Sequence, residues 1–384
     1  ANPTWAKTGN EITVKFVANE PLLDDPDIAN DGPIITIQGR SSANGDVTVT
    51  NPSNDFQTYF GVYEMENTDT EGVVAFSIAF KNAHGMDGDL IEYTGAGLNP
   101  TTNSSSVTFD RQSPTLDGVT ISTDNTNTAY AKEGSIITLA FTAANTENLF
   151  ADPTVTILGN AADAVSGSGA SWSATYTTVN GDDEGTVPFT INFKDYAGNA
   201  GTEVDAIISG TDVIFDKTAP NLDNGVTITS DNTNDPAGTL AKPGDVITLS
   251  VTADDDIQKP TITIAGNSGG SITVSPANDG ESFYTATYEM KTSDANADAI
   301  AFTVDFLDLA GNEGVQVVAW TVDDANGGVS FDKQAPSFTT VSIKSNNEVS
   351  AATALDDFTR AKSGDVITVT LESDEDLQVG LDPT

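Results

Sequence analysis

Acidic side chains are the only chemistry-bearing residues this chain carries in quantity: 57 Asp and Glu against 15 Lys and Arg, one His and no Cys. They fall in recurring settings. Asp110, Asp216 and Asp332 each follow a Phe, in Phe109-Asp110-Arg111-Gln112-Ser113-Pro114, Phe215-Asp216-Lys217-Thr218-Ala219-Pro220 and Phe331-Asp332-Lys333-Gln334-Ala335-Pro336. Asp195 and Asn199 bracket one Asp-x-Ala-Gly-Asn turn, and Asp308 and Asn312 bracket another. A third group comprises Glu147, then Asp254, Asp255 and Asp256, then Asp374, Glu375 and Asp376, each following a strand-like segment. Oxygen ligands of this kind suit hard cations, and Ca2+ takes six to eight carboxylate, amide and carbonyl oxygens.

If the blocks fold as sandwiches, these elements meet at the head of each block. The expected sets are Asp110, Glu147, Asp195 and Asn199 at the second block, and Asp216, Asp254, Asp255, Asp256, Asp308 and Asn312 at the third. At the fourth they are Asp332, Asp374, Glu375 and Asp376. Clustered carboxylates repel one another. A bound Ca2+ would remove that repulsion and pin each Phe-Asp linker between two sandwiches. The same residues also suit a plainer role, in which Asp and Asn cap backbone groups of tight turns.

Other chemistry is poorly served. The absence of Cys excludes disulfides, thiolate zinc sites and thiol catalysis. His84 sits in a turn, where solvent exposure is the ordinary reading. No nucleophile elbow, P-loop or Gly-x-Gly-x-x-Gly follows a strand. Carboxylate pairs mean little in so acidic a chain, and glycosidase chemistry needs two of them across a cleft. We therefore expect no enzyme activity.

A net charge of −42 makes DNA, RNA and anionic membranes poor partners, since these need positive footprints. Divalent cations are the natural ones. An acidic surface merely solvated in salty surroundings is the alternative. No apolar run approaches 18 residues, so no transmembrane helix is expected. The opening Ala1-Asn2-Pro3-Thr4 does not read as a signal peptide, and the N-terminus is taken as processed or as an edge.

The linkers recur at 106 residues (109 to 215) and 116 residues (215 to 331), which is the mark of a tandem array. A second landmark, Ala-Lys-x-Gly, begins at Ala6, Ala131, Ala241 and Ala361. Strict alternation follows it: Ile12, Val14 and Phe16, then Ile137, Leu139 and Phe141, then Ile247, Leu249 and Val251, then Ile367, Val369 and Leu371. Period two predicts strands with one buried face. Further strands are predicted at Ile35 and Ile37, at Tyr63, at Phe76-x-Ile78-x-Phe80, and at their counterparts. About seven short strands per block of roughly 100 residues predict antiparallel sandwiches of immunoglobulin type. The expected repeats are 1–108, which lacks its first strand, 109–214, 215–330, and 331–384, which has its N-terminal part only. The fold class is thus all-β: tandem immunoglobulin-like sandwiches in a linear array with partial domains at both ends. The 384 residues read as an excerpt of a longer repeat protein; the alternative is that a neighbouring chain supplies the missing strand.

Phe-Asp-Lys-x-Ala-Pro, Ala-Lys-x-Gly-Asp-x-Ile-Thr, Ser-Asp-Asn-Thr-Asn and Asp-x-Ala-Gly-Asn together resemble bacterial Ig-like (Big-type) repeats of large prokaryotic surface proteins, over nearly the whole chain. That resemblance implies an extracellular location at the cell surface or envelope and a structural role as surface-layer subunit or adhesin or filament stalk. It implies as partners neighbouring copies of the chain or other envelope components. Block one departs from the pattern, with Lys81-Asn82-Ala83-His84-Gly85-Met86 at the turn. Thr123–Asn127 and Ser230–Asn234 read as Asx-type turns at the opposite end of each block, with contact to the next domain or a cation as the alternative. Lys7, Lys132, Lys242 and Lys362 read as exposed residues before a turn, with Lys–Asn isopeptide bonds to neighbours as the alternative. The rival reading is a carbohydrate-binding accessory sandwich of a secreted enzyme, but Trp5, Trp172 and Trp320 do not occupy equivalent positions.

Overall fold

The computed structural model describes residues 4–24, 32–96, 99–144, 148–150, 153–222, 225–318, 328–346, 361–375 and 377. Among them the chain is all-β, with short 3-10 turns at Ser42–Asn44 and Gly269–Ser271. It divides into two compact units, one of 1–219 with 309–312, the other of 220–308 with 313–384.

The first unit holds two sandwiches. In the second repeat, one sheet runs Leu116–Thr123, Ile136–Ala143, Ser171–Thr177 and Ala164–Ser168. The facing sheet is Asn160–Ala161, Thr154–Ile157 and Phe189–Asn192. Alternation drives the arrangement. Ile137, Leu139 and Phe141 are at most 2% exposed, and the intervening Thr and Ala face out. Opposite them, Val155, Ile157, Phe189 and Ile191 complete a core that ends at Phe215. The first repeat repeats this plan with Glu11–Val17 and Thr58–Glu64 in one sheet, and Ile34–Ile37 and Phe76–Ala79 in the other. Its core ends at Phe109.

The second unit contains a third core of the same design, from Leu222 to Phe331. Val226–Ser230, Val246–Ile257, Glu281–Glu289 and Thr273–Ser275 form one of its sheets. Thr261–Ile264, Phe302–Asp305 and Val317–Val318 form the other. Beyond Phe331, the described residues add a two-stranded ladder of Phe338–Ser345 and Ile367–Ser373, which is almost wholly exposed.

The sandwiches are not purely antiparallel. Three two-residue pairings are parallel: Trp5–Ala6 with Thr108–Phe109, Tyr130–Ala131 with Ile214–Phe215, and Leu240–Ala241 with Ser330–Phe331. Each joins the Ala of Ala-Lys-x-Gly to the Phe of Phe-Asp. The two landmarks lie about one repeat apart in sequence and become neighbours in space. Being parallel, the two strands point the same way, so the chain leaves through Phe-Asp in the direction in which it passes through Ala-Lys-x-Gly.

One packing rule recurs at a fixed spacing, a glycine eight residues after a Phe. A Cβ placed on Gly88, Gly201 or Gly314 would run into the ring of Phe80, Phe193 or Phe306. In each case the glycine N–H donates to the carbonyl of that Phe. Gly201→Ala is expected to cost about 1–3 kcal/mol by overpacking against the buried Phe193 ring. A chemical-denaturation midpoint read from Trp172 fluorescence measures it, and an unchanged midpoint would show that the ring yields freely.

Candidate functional site

The site is built at the foot of each repeat, where the two landmarks pair. The N–H groups of Asp110, Asp216 and Asp332 donate to the carbonyls of Ala6, Ala131 and Ala241 at 2.9, 2.9 and 3.1 Å. Each Asp Oδ1 accepts the N–H two residues on, from Gln112, Thr218 and Gln334, at 2.9, 3.0 and 2.9 Å. The linker Asp is thus an Asx cap that turns the chain out of its last strand.

A second element of the foot is a Tyr-x5-Asp pair. Tyr63, Tyr176 and Tyr288 donate their hydroxyls to Asp69, Asp182 and Asp294 at 2.9–3.1 Å. Those carboxylates also accept the N–H of Glu66, Val179 and Lys291. The basic residue of each linker closes the same turn: Arg111 reaches the carbonyls of Asn67 and Asp69, Lys217 those of Asn180 and Asp182, and Lys333 that of Asp294.

Burial, then the hydrogen bond to the Asp, pushes the Tyr63 and Tyr288 phenols up to about 12. The folded value lies above the ordinary one near 10. The contribution is therefore complete below pH 10 and is lost as pH climbs toward 12. Ultraviolet titration of the folded chain is expected to show these tyrosines ionising only at about pH 12, with unfolding alongside. Their titration near pH 10 without loss of structure would contradict the pairing.

In the first unit the foot of one repeat meets a turn of the next. At Asp195–Asn199, the buried Asp195 Oδ1 accepts the N–H of Gly198 at 2.7 Å and of Asn199 at 2.9 Å, and Oδ2 accepts Asn199 Nδ2 at 2.8 Å. Asn199 Nδ2 also donates to the Asp110 carbonyl at 3.0 Å. Lys7 Nζ donates to the Gly198 carbonyl at 2.8 Å. Trp5 stacks on Tyr196 at 6.1 Å between ring centroids, and Phe150 meets the same ring edge-on at 5.7 Å. Gly198 has φ +89°, which favours glycine at the turn.

The same contacts recur on the four-residue turn Leu309–Asn312, which belongs to the first unit. Lys132 Nζ donates to the Gly311 carbonyl at 2.7 Å, and Asn312 Nδ2 donates to the Asp216 carbonyl at 2.9 Å. Asn125 and Asn127 donate to the carbonyls of Ala310 and Leu309. The reading of the lysines is therefore corrected. Lys7 and Lys132 are not simply exposed, because each clamps a glycine carbonyl. The Thr123–Asn127 turn is an Asx-type turn that also binds the Leu309–Asn312 turn.

The acidic residues are placed as follows. Asp110, Asp195 and Asn199 come together in the first unit. Burial first raises the Asp110 carboxyl, its bond from Gln112 opposes this, and the neighbouring charges of Asp195 and Glu71 raise it further. Glu147 and Asp376 lie outside the described residues. Asp254, Asp255 and Asp256 do not follow a strand but occupy the exposed, irregular end of Val246–Ile257, where Asp254 caps the Asn221 N–H at 2.7 Å. Asp308 is buried and bridges Ile257. Asp374 accepts the N–H and hydroxyl of Ser337 at 2.7 and 2.6 Å, and these bonds lower its carboxyl. Burial first, then Asp332, raises Glu375. Among the described residues no group of three or more His, Cys, Asp or Glu side chains could hold a metal ion. In block one the departing turn keeps its geometry through Asn82, whose Oδ1 caps His84 and Met86. The aromatic residues serve packing. Trp172 is 7% exposed, and Trp5 is half-buried on Tyr196.

No family model matches the chain, and no curated protein matches it. Solved structures do. A 1.5-MDa bacterial ice-binding adhesin, studied for its host cell surface retention, is 17% identical over 86% of this chain and 95% of its own, with a TM-score of 0.39. A Ca2+-stabilized adhesin with which an Antarctic bacterium reaches out and binds ice is 16% identical over 89% of this chain and 74% of its own, with a TM-score of 0.38. The I9–I11 tandem of titin is 8% identical over 85% and 94%, with a TM-score of 0.29. At such scores the correspondence says nothing about what this chain binds.

Proposed function

We propose that this chain is a non-enzymatic, extracellular segment of a large surface protein, whose repeats 1–108, 109–214, 215–330 and 331–384 act as mechanical spacers. Surface-layer subunit and adhesin or filament stalk are the two settings that suit it, with neighbouring copies or envelope components as partners. The observation that carries the reading is the repeated foot. Three times the chain spends its Phe-Asp, Ala-Lys, linker Lys or Arg, and Tyr-x5-Asp residues on closing a repeat. Its Lys and Asn side chains then clamp a following turn. These are residues used for holding repeats together rather than for opening a cleft.

Calcium belongs to this reading through one pair. Asp110 is half-buried beside Asp195, and a divalent cation there would favour the ionised forms of both. Asp110, Asp195, Asn199 and Glu147 are the residues that would supply it oxygens, although Asp195 already accepts three N–H bonds within its turn.

Single-molecule stretching of the full chain tests the spacer reading. Separate unfolding steps are expected, each lengthening the chain by roughly 350 Å, the span of about 100 extended residues. One featureless extension would end it. Calorimetric titration with Ca2+ tests the cation separately, and a flat trace would remove calcium while leaving the spacer intact.

A further inference from the structure

The Tyr-x5-Asp pair of each foot closes over a four-residue turn. In it the Asp N–H donates to the carbonyl three residues back: Asp69 to Glu66, Asp182 to Val179, and Asp294 to Lys291. The two middle residues differ. They are Asn67-Thr68, Asn180-Gly181 and Thr292-Ser293. Of the three feet, the second alone sets a glycine after an asparagine. Asn180 and Gly181 are both exposed. Among the described residues, the Asn180 side chain and the Gly181 N–H have no protein partner. The Asn180 carbonyl does have one, since Lys217 Nζ donates to it at 2.8 Å.

We propose that Asn180-Gly181 is a self-modification site, at which the asparagine cyclises onto the next main-chain nitrogen and becomes aspartate and isoaspartate. The Gly181 nitrogen attacks the Asn180 Cγ. A new C–N bond closes a five-membered imide, the Cγ–Nδ2 bond breaks, and the Gly181 proton departs on ammonia. Water then opens the ring. Opening at Cγ gives aspartate. Opening at the main-chain carbonyl gives isoaspartate, whose backbone runs through the former side chain and is one carbon longer. Water is the sole co-reactant.

Two features of the foot favour the attack. Gly181 has no Cβ to crowd its nitrogen. That nitrogen must also shed its proton, and the charge of the resulting amide anion sits largely on the Asn180 carbonyl oxygen. Lys217 is aimed at that oxygen, and a donor placed where charge develops lowers the barrier. The other described Asn-Gly pair, Asn44-Gly45, is differently placed: the Gly45 N–H is held by the Ser42 carbonyl at 3.0 Å. Asn67 has Arg111 on its carbonyl, but the β-branched Thr68 follows it and crowds the nitrogen.

The product acts on the foot itself. The extra carbon of isoaspartate falls between Val179 and Asp182. Their spacing holds the Asp182 carboxylate on the Tyr176 hydroxyl at 2.9 Å and on the Val179 N–H at 2.8 Å. Conversion therefore slackens the second foot and leaves the other two closed.

The test ages the full chain at mildly alkaline pH and follows Asn180 and Asn44 by peptide mapping, with isoaspartate read by methyltransferase labelling. In the folded chain Asn180 is expected to convert at least about tenfold faster than Asn44, a discount on the roughly hundredfold effect of a fully desolvated donor. In urea, where the Lys217 contact is gone, the two rates should converge. Lys217→Met is expected to slow Asn180 several-fold and leave Asn44 unchanged. Gly181→Ala should suppress conversion without disturbing the turn, because a Cβ there meets nothing within 4 Å and the backbone lies outside the left-handed region. Read from Trp172 in urea, the unfolding midpoint of the aged chain should fall, and that of aged Gly181→Ala should hold. Equal conversion of Asn180 and Asn44 in the folded chain would overturn the proposal. So would a rate at Asn180 that Lys217→Met leaves unchanged or raises.

Discussion

Phe215→Ala is expected to lower the stability of the second repeat by about 3–5 kcal/mol, the usual cost of removing a buried aromatic ring and leaving its cavity. Phe215 has no exposed surface and ends the core of that repeat. It also pairs with Ala131 on one side and Gly185 on the other, so the ring holds the foot shut. Against a typical domain stability of 5–15 kcal/mol, such a loss takes the repeat close to unfolding. Trp172, packed in the same core, reports the transition in urea. Ile214→Ala, one residue earlier but 37% exposed, is the control and should shift the midpoint far less. Because the three hydrophobic cores share no residue, the third repeat should melt as before. A single transition that moves as a whole would show that the cores are energetically joined.

That experiment rests on a feature the sequence displayed openly. The Phe-Asp linkers and the alternating strands after Ala-Lys-x-Gly are regular because each buried position repeats every second residue, and a packed two-layer core tolerates little else there. The parallel pairing of the landmarks was less visible. Trp5–Ala6 and Thr108–Phe109 are two-residue pieces, too short to carry a period. Their adjacency depends on where the whole repeat begins and ends in space.

The junction was legible in part. Its linker Asp and its Asp-x-Ala-Gly-Asn turn announce themselves by recurrence. What their oxygens do does not, because an Asx cap and a cation ligand use the same residue types. Asp195 caps its own turn, and a carboxylate flanked by glycine and asparagine N–H groups finds those donors before anything more distant. The Tyr-x5-Asp spacing was present at Tyr63, Tyr176 and Tyr288, yet it reads as ordinary core aromatics until the hydroxyl and its carboxylate are seen together. The clamping lysines recur in Ala-Lys-x-Gly, but their role was hidden, since a lysine before a turn is usually solvated and the glycine carbonyl lies 191 residues away for Lys7.

Asp195→Ala is expected to destabilise the second repeat by about 1–3 kcal/mol, because it strands the N–H of Asn199 in a partly buried turn, while the N–H of Gly198 keeps the backbone carbonyl of residue 195 at 3.1 Å. The Asn199 side chain loses its anchor on Oδ2 at the same time, and with it the bond to the Asp110 carbonyl is weakened. The linker at 109–114 should then be cut faster by a broad-specificity protease. Asp195→Asn keeps one carbonyl oxygen for the two backbone donors and should cost less. The pair of variants also separates the two roles of the residue. If a cation draws on Asp110 and Asp195, added Ca2+ raises the midpoint of the unaltered chain, by about 2.7 kcal/mol at a hundredfold excess over its dissociation constant, and leaves Asp195→Asn nearly unmoved. If the residue is only a cap, the two respond to Ca2+ alike, since what remains is the general screening of an acidic surface. A full Ca2+ response in Asp195→Asn would therefore place any cation elsewhere and leave the junction to its lysine, asparagine and aromatic contacts.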